Sequence, residues 1–229
     1  MQCALFGKVP SKRDFVAPNA SRQFLDVWEP WVNAAMSASR QSLGNGWLPA
    51  FLQAPIWRFW LGADLCGATV AGAMMPSLDG VGRYFPLTAF VMAPEGSFIP
   101  PPEVDPQDDW FAAVENFLLS TLDQDTTFEE ILAALKQIRS PASFSHVGGE
   151  GAPIVVADAV VSRLPVGIPA SGTFSTMRLA DPAKVYSSTT SWWTMGGEGY
   201  EPFAILGHKM PNPFMFTEML TGRFVFGLD

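Results

Sequence analysis

Two apolar runs, Ala68–Met75 and Tyr84–Met92, stand only eight residues apart. The link between them, Pro76-Ser77-Leu78-Asp79-Gly80-Val81-Gly82-Arg83, is rich in Pro and Gly and reads as a structured loop. Strands joined this closely read as an antiparallel hairpin. Any sheet in this chain is therefore antiparallel in at least this part.

The remaining pattern extends that hairpin. Ala4–Phe6 reads as a short strand, and Ile56-Trp57-Arg58-Phe59-Trp60 as a β-branched and aromatic one. Pro153–Val161 is a strand candidate. Ser187–Met195 and Pro202–Leu206 are β-rich neighbours, with Gly196-Gly197-Glu198-Gly199 as their hairpin loop. From Ser21 to Ser42, Phe24, Trp28, Trp31, Ala35 and Met36 recur on one helical face. Pro30 either kinks this helix or opens a second one. Pro100-Pro101-Pro102 is a stiff spacer. Asp105-Pro106 then reads as N-cap and first residue of a helix to about Leu122, burying Trp110, Val114, Phe117 and Leu118. Thr127-Phe128-Glu129-Glu130 is a capping box, opening a helix to about Ile138 that buries Ile131, Leu132 and Leu135. Pro141–Gly151 reads as loop, and Asn212-Pro213 caps a last helix ending near Gly222. This order is no regular βαβ alternation. The expected fold is α/β of the α+β type: a mixed, mostly antiparallel sheet with helices packed on it. A single domain over residues 1–229 is expected, with a candidate sub-boundary in the Pro-rich stretch near 95–104.

With 48% apolar and 16% charged residues, the chain has ample material for a core. Its 18 Phe, 8 Trp and 3 Tyr are a heavy aromatic load and favour a partner surface. The net charge of −8 argues against duplex nucleic acid as a partner. Residues 95–130 hold ten acids and no base, whereas seven bases and seven acids balance over residues 131–229. Such an acidic segment is a solubilising face or a docking face for a basic partner. Many of its acids sit in the first turns of the two central helices, which suits the helix dipole. Cys3 and Cys66 make no disulfide framework. No signal peptide is visible, since Met1–Phe6 is short and lacks a basic n-region, and the longest largely apolar run, Leu65–Met75, has 11 residues where a membrane span needs about 20. The expectation is a cytosolic protein with no membrane insertion.

The search for chemistry is mostly negative. Gly7-Lys8-Val9-Pro10 lacks the phosphate-cradle pattern, and Gly80-Val81-Gly82 lacks the third glycine of a dinucleotide fingerprint. His146 and His208, the two histidines, stand in no metal-ligand spacing. Cys66 lies among apolar neighbours, as a buried inert thiol does. No catalytic, cofactor-binding or metal-binding residue is assigned. More unusual are charges set among large apolar groups: Asp14, Arg58, Asp79 and Arg83. Such charges must reach water or find a partner. Arg83 with Asp79, or Arg58 with Asp14, would form structural ion pairs.

Phe6-Gly7-Lys8-Val9-Pro10 followed by Asp14-Phe15-Val16 resembles the opening signature of the type VI secretion-associated TagF/ImpM family. Pro55-Ile56-Trp57-Arg58-Phe59 is similar to a second block of that family. The run from Pro76 to Leu87 resembles its most distinctive block. Ser191-Trp192-Trp193-Thr194 and the closing stretch Phe214–Phe224 follow in the family's order. The chain departs in having Arg13 where the family usually has Gly, and Gly207-His208-Lys209-Met210-Pro211 for a shorter Gly-Leu-Pro. The resemblance implies a compact α/β sandwich, with a looser link to longin/SNARE-like domains. It also implies a non-catalytic cytoplasmic accessory protein, a post-translational repressor that contacts the forkhead-associated scaffold of the secretion system. No cofactor, small-molecule substrate or nucleic acid comes with it. Lys8, Asp14, Arg58, Ser77, Asp79, Arg83, Trp192 and Trp193 are the candidates for partner contacts or for an internal latch. The alternatives are a structural part of the apparatus, or a small hydrolase using Ser77 or Cys66.

Overall fold

The structure, a computed structural model, describes residues 1–145 and 182–224 and, between them, residues 154–156, 159–162, 164, 173–174 and 177–178. Its elements in chain order are β1 (Ala4–Phe6), α1 (Arg22–Leu43), α2 (Trp47–Gln53), β2 (Trp57–Leu61), α3 (Ala63–Cys66), β3 (Val70–Met75), β4 (Leu87–Met92) and β5 (Ser97–Phe98). Then come α4 (Asp108–Ser120), α5 (Phe128–Gln137), β6 (Phe144–Ser145), β7 (Ile154–Val156) and β8 (Ala159–Val161). The last are α6 (Pro182–Val185), β9 (Thr190–Thr194), β10 (Phe203–Gly207) and α7 (Met215–Thr221). Six strands form one sheet in the order β1-β4-β3-β2-β9-β10, and each neighbouring pair is antiparallel. The hairpin read from the sequence is the β3–β4 pair at its heart, with Gly72 opposite Phe90.

Over β1 to β4 both faces of the sheet are covered, so these strands read as apolar runs with little alternation, whereas β10 alternates and is partly exposed. On one face Trp57, Phe59, Leu61, Val70, Met74, Phe90 and Trp192 meet Phe24, Trp28, Trp31 and Val32 of α1, with Phe216, Met219 and Leu220 of α7. The rings interleave: Phe24 lies 3.7 Å from Phe90, and Trp28 4.5 Å from Phe59. Gly72 faces these rings from the central strand; a Cβ there would stand 2.5 Å from Phe59. On the opposite face Leu5, Trp60, Ala71, Ala73, Ala89 and Val91 pack against Trp110, Phe111, Val114 and Leu118 of α4 and Ile131 and Leu135 of α5. Each fully buried large side chain contributes roughly 1.5–3 kcal/mol. Two such faces give the chain its stability.

Ser21 caps α1 by accepting from the Phe24 amide, and α1 runs through Pro30 as one helix. The reading of Pro30 as the start of a second helix is thereby excluded. The apolar face that continues through Trp28, Trp31, Val32 and Ala35 holds the two sides together. The capping box at Thr127 and Glu130 is formed as read. The start of α4 differs from the sequence expectation. Asp105 closes a turn on the Gln107 amide at 3.1 Å, and Gln107, with φ of 50°, occupies the N-cap. Pro153–Val161 is two strands, β7 and β8, paired from Ile154 opposite Val161, and no single strand. Within the loop expected over Pro141–Gly151, Phe144–Ser145 is instead the short strand β6, paired with β5, and residues 146–151, with His146, lie outside the described residues. No helix among the described residues is long and apolar enough to cross a membrane.

Candidate functional site

Two loops meet at one end of the β1–β4–β3 side of the sheet: residues 7–16 after β1, and residues 76–86 between β3 and β4. Gly7 lets the first loop leave the sheet. Its φ is 139°, and a Cβ would stand 2.2 Å from the Pro86 carbonyl oxygen. A side chain at this position would push the loops apart. Gly7 and Val16 then exchange backbone hydrogen bonds of 3.1 and 2.9 Å, which closes the loop on itself.

Asp79 holds the two loops together. Its Oδ2 accepts from Lys8 Nζ at 2.9 Å and from Arg83 Nε at 2.7 Å. Its Oδ1 accepts from the amides of Val81 at 3.1 Å and Arg83 at 2.9 Å. Asp79 is 0% exposed and Lys8 8% exposed at their side chains, whereas Arg83 is 58% exposed. Burial works against the charged carboxylate. The Arg83 amide, the Lys8 and Arg83 cations and the Val81 amide together outweigh it, and hold the Asp79 carboxyl well below the usual carboxylate range. Around this centre Ser77 Oγ donates to the Lys8 carbonyl at 2.8 Å. The Gly80 amide donates to the Lys12 carbonyl at 2.7 Å, and Arg83 Nη2 donates to the Arg13 carbonyl. The Arg83–Asp79 pair read from the sequence is present, and Lys8 completes it.

Above the latch lies a groove of about 570 Å³ between the loops and α1, lined by Lys8, Asn33, Ser37, Arg40, Arg83 and Tyr84 among others. Arg40 is exposed. It enters no ion pair among the described residues: its guanidinium lies 4.4 Å from the Trp47 ring and reaches the Tyr84 carbonyl at 3.5 Å. Exposed Phe15 packs against Phe85 at 4.8 Å, with Lys8 Nζ 5.0 Å from its ring, and Val81 is exposed on the adjoining turn. Arginines beside exposed apolar groups are the composition of a protein contact patch.

The other candidates lie elsewhere. Arg58 does not pair with Asp14. It faces α4, where Nε and Nη2 fork onto Glu115 at 2.6 and 3.0 Å and Nη1 reaches Asp108 at 3.2 Å. Strand β2 points that side chain into the α4 face, whereas Asp14 sits exposed on the first loop and enters no ion pair among the described residues. Trp192 is fully buried against Trp28, Trp31 and Phe59 and is closed to a partner. Trp193 points the other way and meets Phe111 edge-on at 4.8 Å. Both tryptophans are packing residues. Arg40 escaped the sequence reading, though Asn33, Ser37 and Arg40 at helical spacing mark one polar line along α1.

Neither nucleophile of the hydrolase alternative is activated. The Ser77 hydroxyl is committed to a backbone carbonyl. Burial pushes the Cys66 thiol up to about 11 and the Cys3 thiol to about 12.

No curated protein sequence matches the chain. A solved structure, that of PA0076 from Pseudomonas aeruginosa PAO1, is similar along the whole length. It is 30% identical, covers 100% of this chain and 98% of its own, and superposes with a TM-score of 0.80. The profile of the TagF N-terminal domain, which is type VI secretion system-associated, matches residues 4–138, from β1 through both loops of the latch to the end of α5. The chain belongs to this TagF family and has an accessory role in type VI secretion.

Proposed function

We propose that the chain is a non-catalytic cytoplasmic repressor of the type VI secretion system, acting by contact with the forkhead-associated scaffold protein. The groove carrying Arg40 and Arg83 is the contact surface. One observation carries this reading: Arg40 is an exposed guanidinium with no ion pair among the described residues, next to the loop block most characteristic of the family resemblance. A cation so placed is available to an acidic surface on a partner, and Phe15 and Val81 supply apolar area around it. The latch beneath holds both loops in one arrangement, so little ordering remains for binding to supply. No enzymatic step enters this account. The committed Ser77 hydroxyl and the raised thiols support that.

The test is the affinity of the purified chain for the scaffold protein, measured by calorimetry. Arg40→Glu should weaken binding by about tenfold or more while leaving the unfolding transition close to wild type. Unchanged affinity would remove the groove from the interface. Absence of binding by the wild-type chain would remove the partner.

A further inference from the structure

The groove above the latch collects positive charge. Lys8, Arg40 and Arg83 all line it, and every residue of its lining is among the described ones. Lys8 Nζ and Arg83 Nε share one acceptor atom, Asp79 Oδ2, at 2.9 and 2.7 Å, so both cations converge on one point. Asp79 offsets one of the three charges, which leaves an excess of two. Both guanidiniums keep donors in reserve. Arg83 commits Nε to Asp79 and Nη2 to the Arg13 carbonyl, and Arg40 commits Nη2 to the carbonyl of Tyr84, the residue after Arg83. Trp47, 4.4 Å from the Arg40 guanidinium, fixes its plane. Ser37, one turn before Arg40 on α1, adds an exposed hydroxyl to the same wall.

We propose that this groove binds a phosphorylated serine or threonine side chain carried on a segment of the partner protein. The inference rests on the contact surface assigned above and names the chemistry it recognises. A phosphomonoester carries a charge of about −1.5 to −2 near neutrality and three acceptor oxygens. It matches the excess charge of the groove, whereas one carboxylate leaves a cation unanswered. Guanidinium forks fit phosphate oxygens two at a time, and Ser37 supplies a neutral donor beside them. The surroundings suit a segment of chain and not a free ion. At about 570 Å³ the groove is far larger than one phosphate. Phe15 and Val81 stand exposed on the adjoining loops to meet apolar residues flanking the phosphate. Gly82, with a φ of 82° and nothing within 4 Å of where its Cβ would stand, leaves room for the backbone of that segment.

Calorimetry of the full chain against an alanine-rich peptide carrying one phosphothreonine between two leucines tests this. The controls are the unphosphorylated peptide, the peptide with glutamate in place of phosphothreonine, and inorganic phosphate. Near neutral pH the phosphopeptide should bind about tenfold or more tighter than any control. Its affinity should fall about tenfold between about pH 7.5 and pH 5, as the second phosphate pKa near 6 is crossed, while the glutamate peptide changes little. The protein side stays constant over that range. No histidine or carboxylate lines the groove, and Asp79 beneath it is held well below the usual carboxylate range. Arg40→Ala should weaken the phosphopeptide by about tenfold or more, and Ser37→Ala by about fivefold, with unchanged circular dichroism and melting confirming the fold. A phosphopeptide no tighter than the glutamate peptide, or an affinity indifferent to pH, would overturn the proposal. So would inorganic phosphate binding as tightly as the phosphopeptide, or an Arg40→Ala chain that binds it like wild type. The scaffold reading fails separately. A chain that binds the phosphopeptide and refuses the scaffold protein has this ligand chemistry and another partner. Scaffold binding undiminished by phosphatase treatment keeps the partner and overturns the ligand chemistry.

Discussion

Among the described residues two buried charge clusters stand out, and they are opposites. At the loops a carboxylate, Asp79, is buried and two cations close on it. On the α4 face of the sheet a guanidinium, Arg58, is buried and two acids close on it. The Arg58 cluster ties a helix to a strand, with Phe111 5.4 Å from the guanidinium. Its work is internal. The Asp79 cluster ties two loops together, and one of its members, Arg83, remains more than half exposed beside the Arg40 groove. The clusters also differ in what a deletion strands. Without Asp79, Lys8 is left with a side chain 8% exposed. Without Arg58, Glu115 and Asp108 are left at 20% and 72% exposure, with water in reach. A buried ion pair is costly to break because of the group left behind, so the depth of that group sets the cost.

The largest effect is therefore expected from Asp79→Ala, about 3–5 kcal/mol of unfolding free energy in urea denaturation. A loss below about 1 kcal/mol would show that Lys8 escapes to water and would erase the contrast. Arg58→Ala should cost less, about 2 kcal/mol, because its acids rehydrate. If Arg58→Ala proves the more damaging, the depth of the stranded group does not set the cost. The pH dependence sharpens the same point. The Asp79 carboxyl is held below its unfolded value, so the unfolded chain binds the proton first as acid is added. The latch contribution is whole above an unfolded carboxyl value of about 3.9 and is lost as pH falls through the lower folded one. The stability gap between wild type and Asp79→Asn should thus be widest near neutrality and shrink below about pH 4. A gap that grows on acidification would contradict the charge assignment. The smallest effect on stability is expected from Arg83→Ala, at most about 1 kcal/mol, since exposed pairs contribute little. That makes it a clean probe of partner binding, where loss of affinity without loss of fold would separate contact from latch.

The helices with strong periodicity and clear caps were legible in the sequence, as were the β3–β4 and β9–β10 hairpins. Ser21, Thr127-Glu130 and Gly222 each mark an end by local chemistry that needs no tertiary information. The short helix α2 was not legible: Trp47–Gln53 has seven residues and a Pro inside, too short for a period to show. The start of α4 was misplaced because Asp105 closes a turn with the same side-chain chemistry that makes a cap. At the site, Asp79 and Arg83 are four residues apart, and their pairing was visible. Lys8 lies 71 positions from Asp79 and Glu115 57 from Arg58, distances that only the strand order resolves. Arg40 is a cation in the last turn of α1, where it suits the helix dipole, and nothing in the sequence sets it apart. Only the fold brings the second loop against that turn and makes a groove of it.

Repression through the Arg40–Arg83 groove is the central proposal for this protein. The most direct test is type VI secretion from cells lacking the protein, restored in turn with wild type and with Arg40→Glu. Secretion should rise on deletion, fall again with the wild-type chain, and stay high with Arg40→Glu present at equal level. Secretion lost on deletion would make the protein a structural or activating part of the apparatus. Repression fully restored by Arg40→Glu would place the contact elsewhere on the molecule.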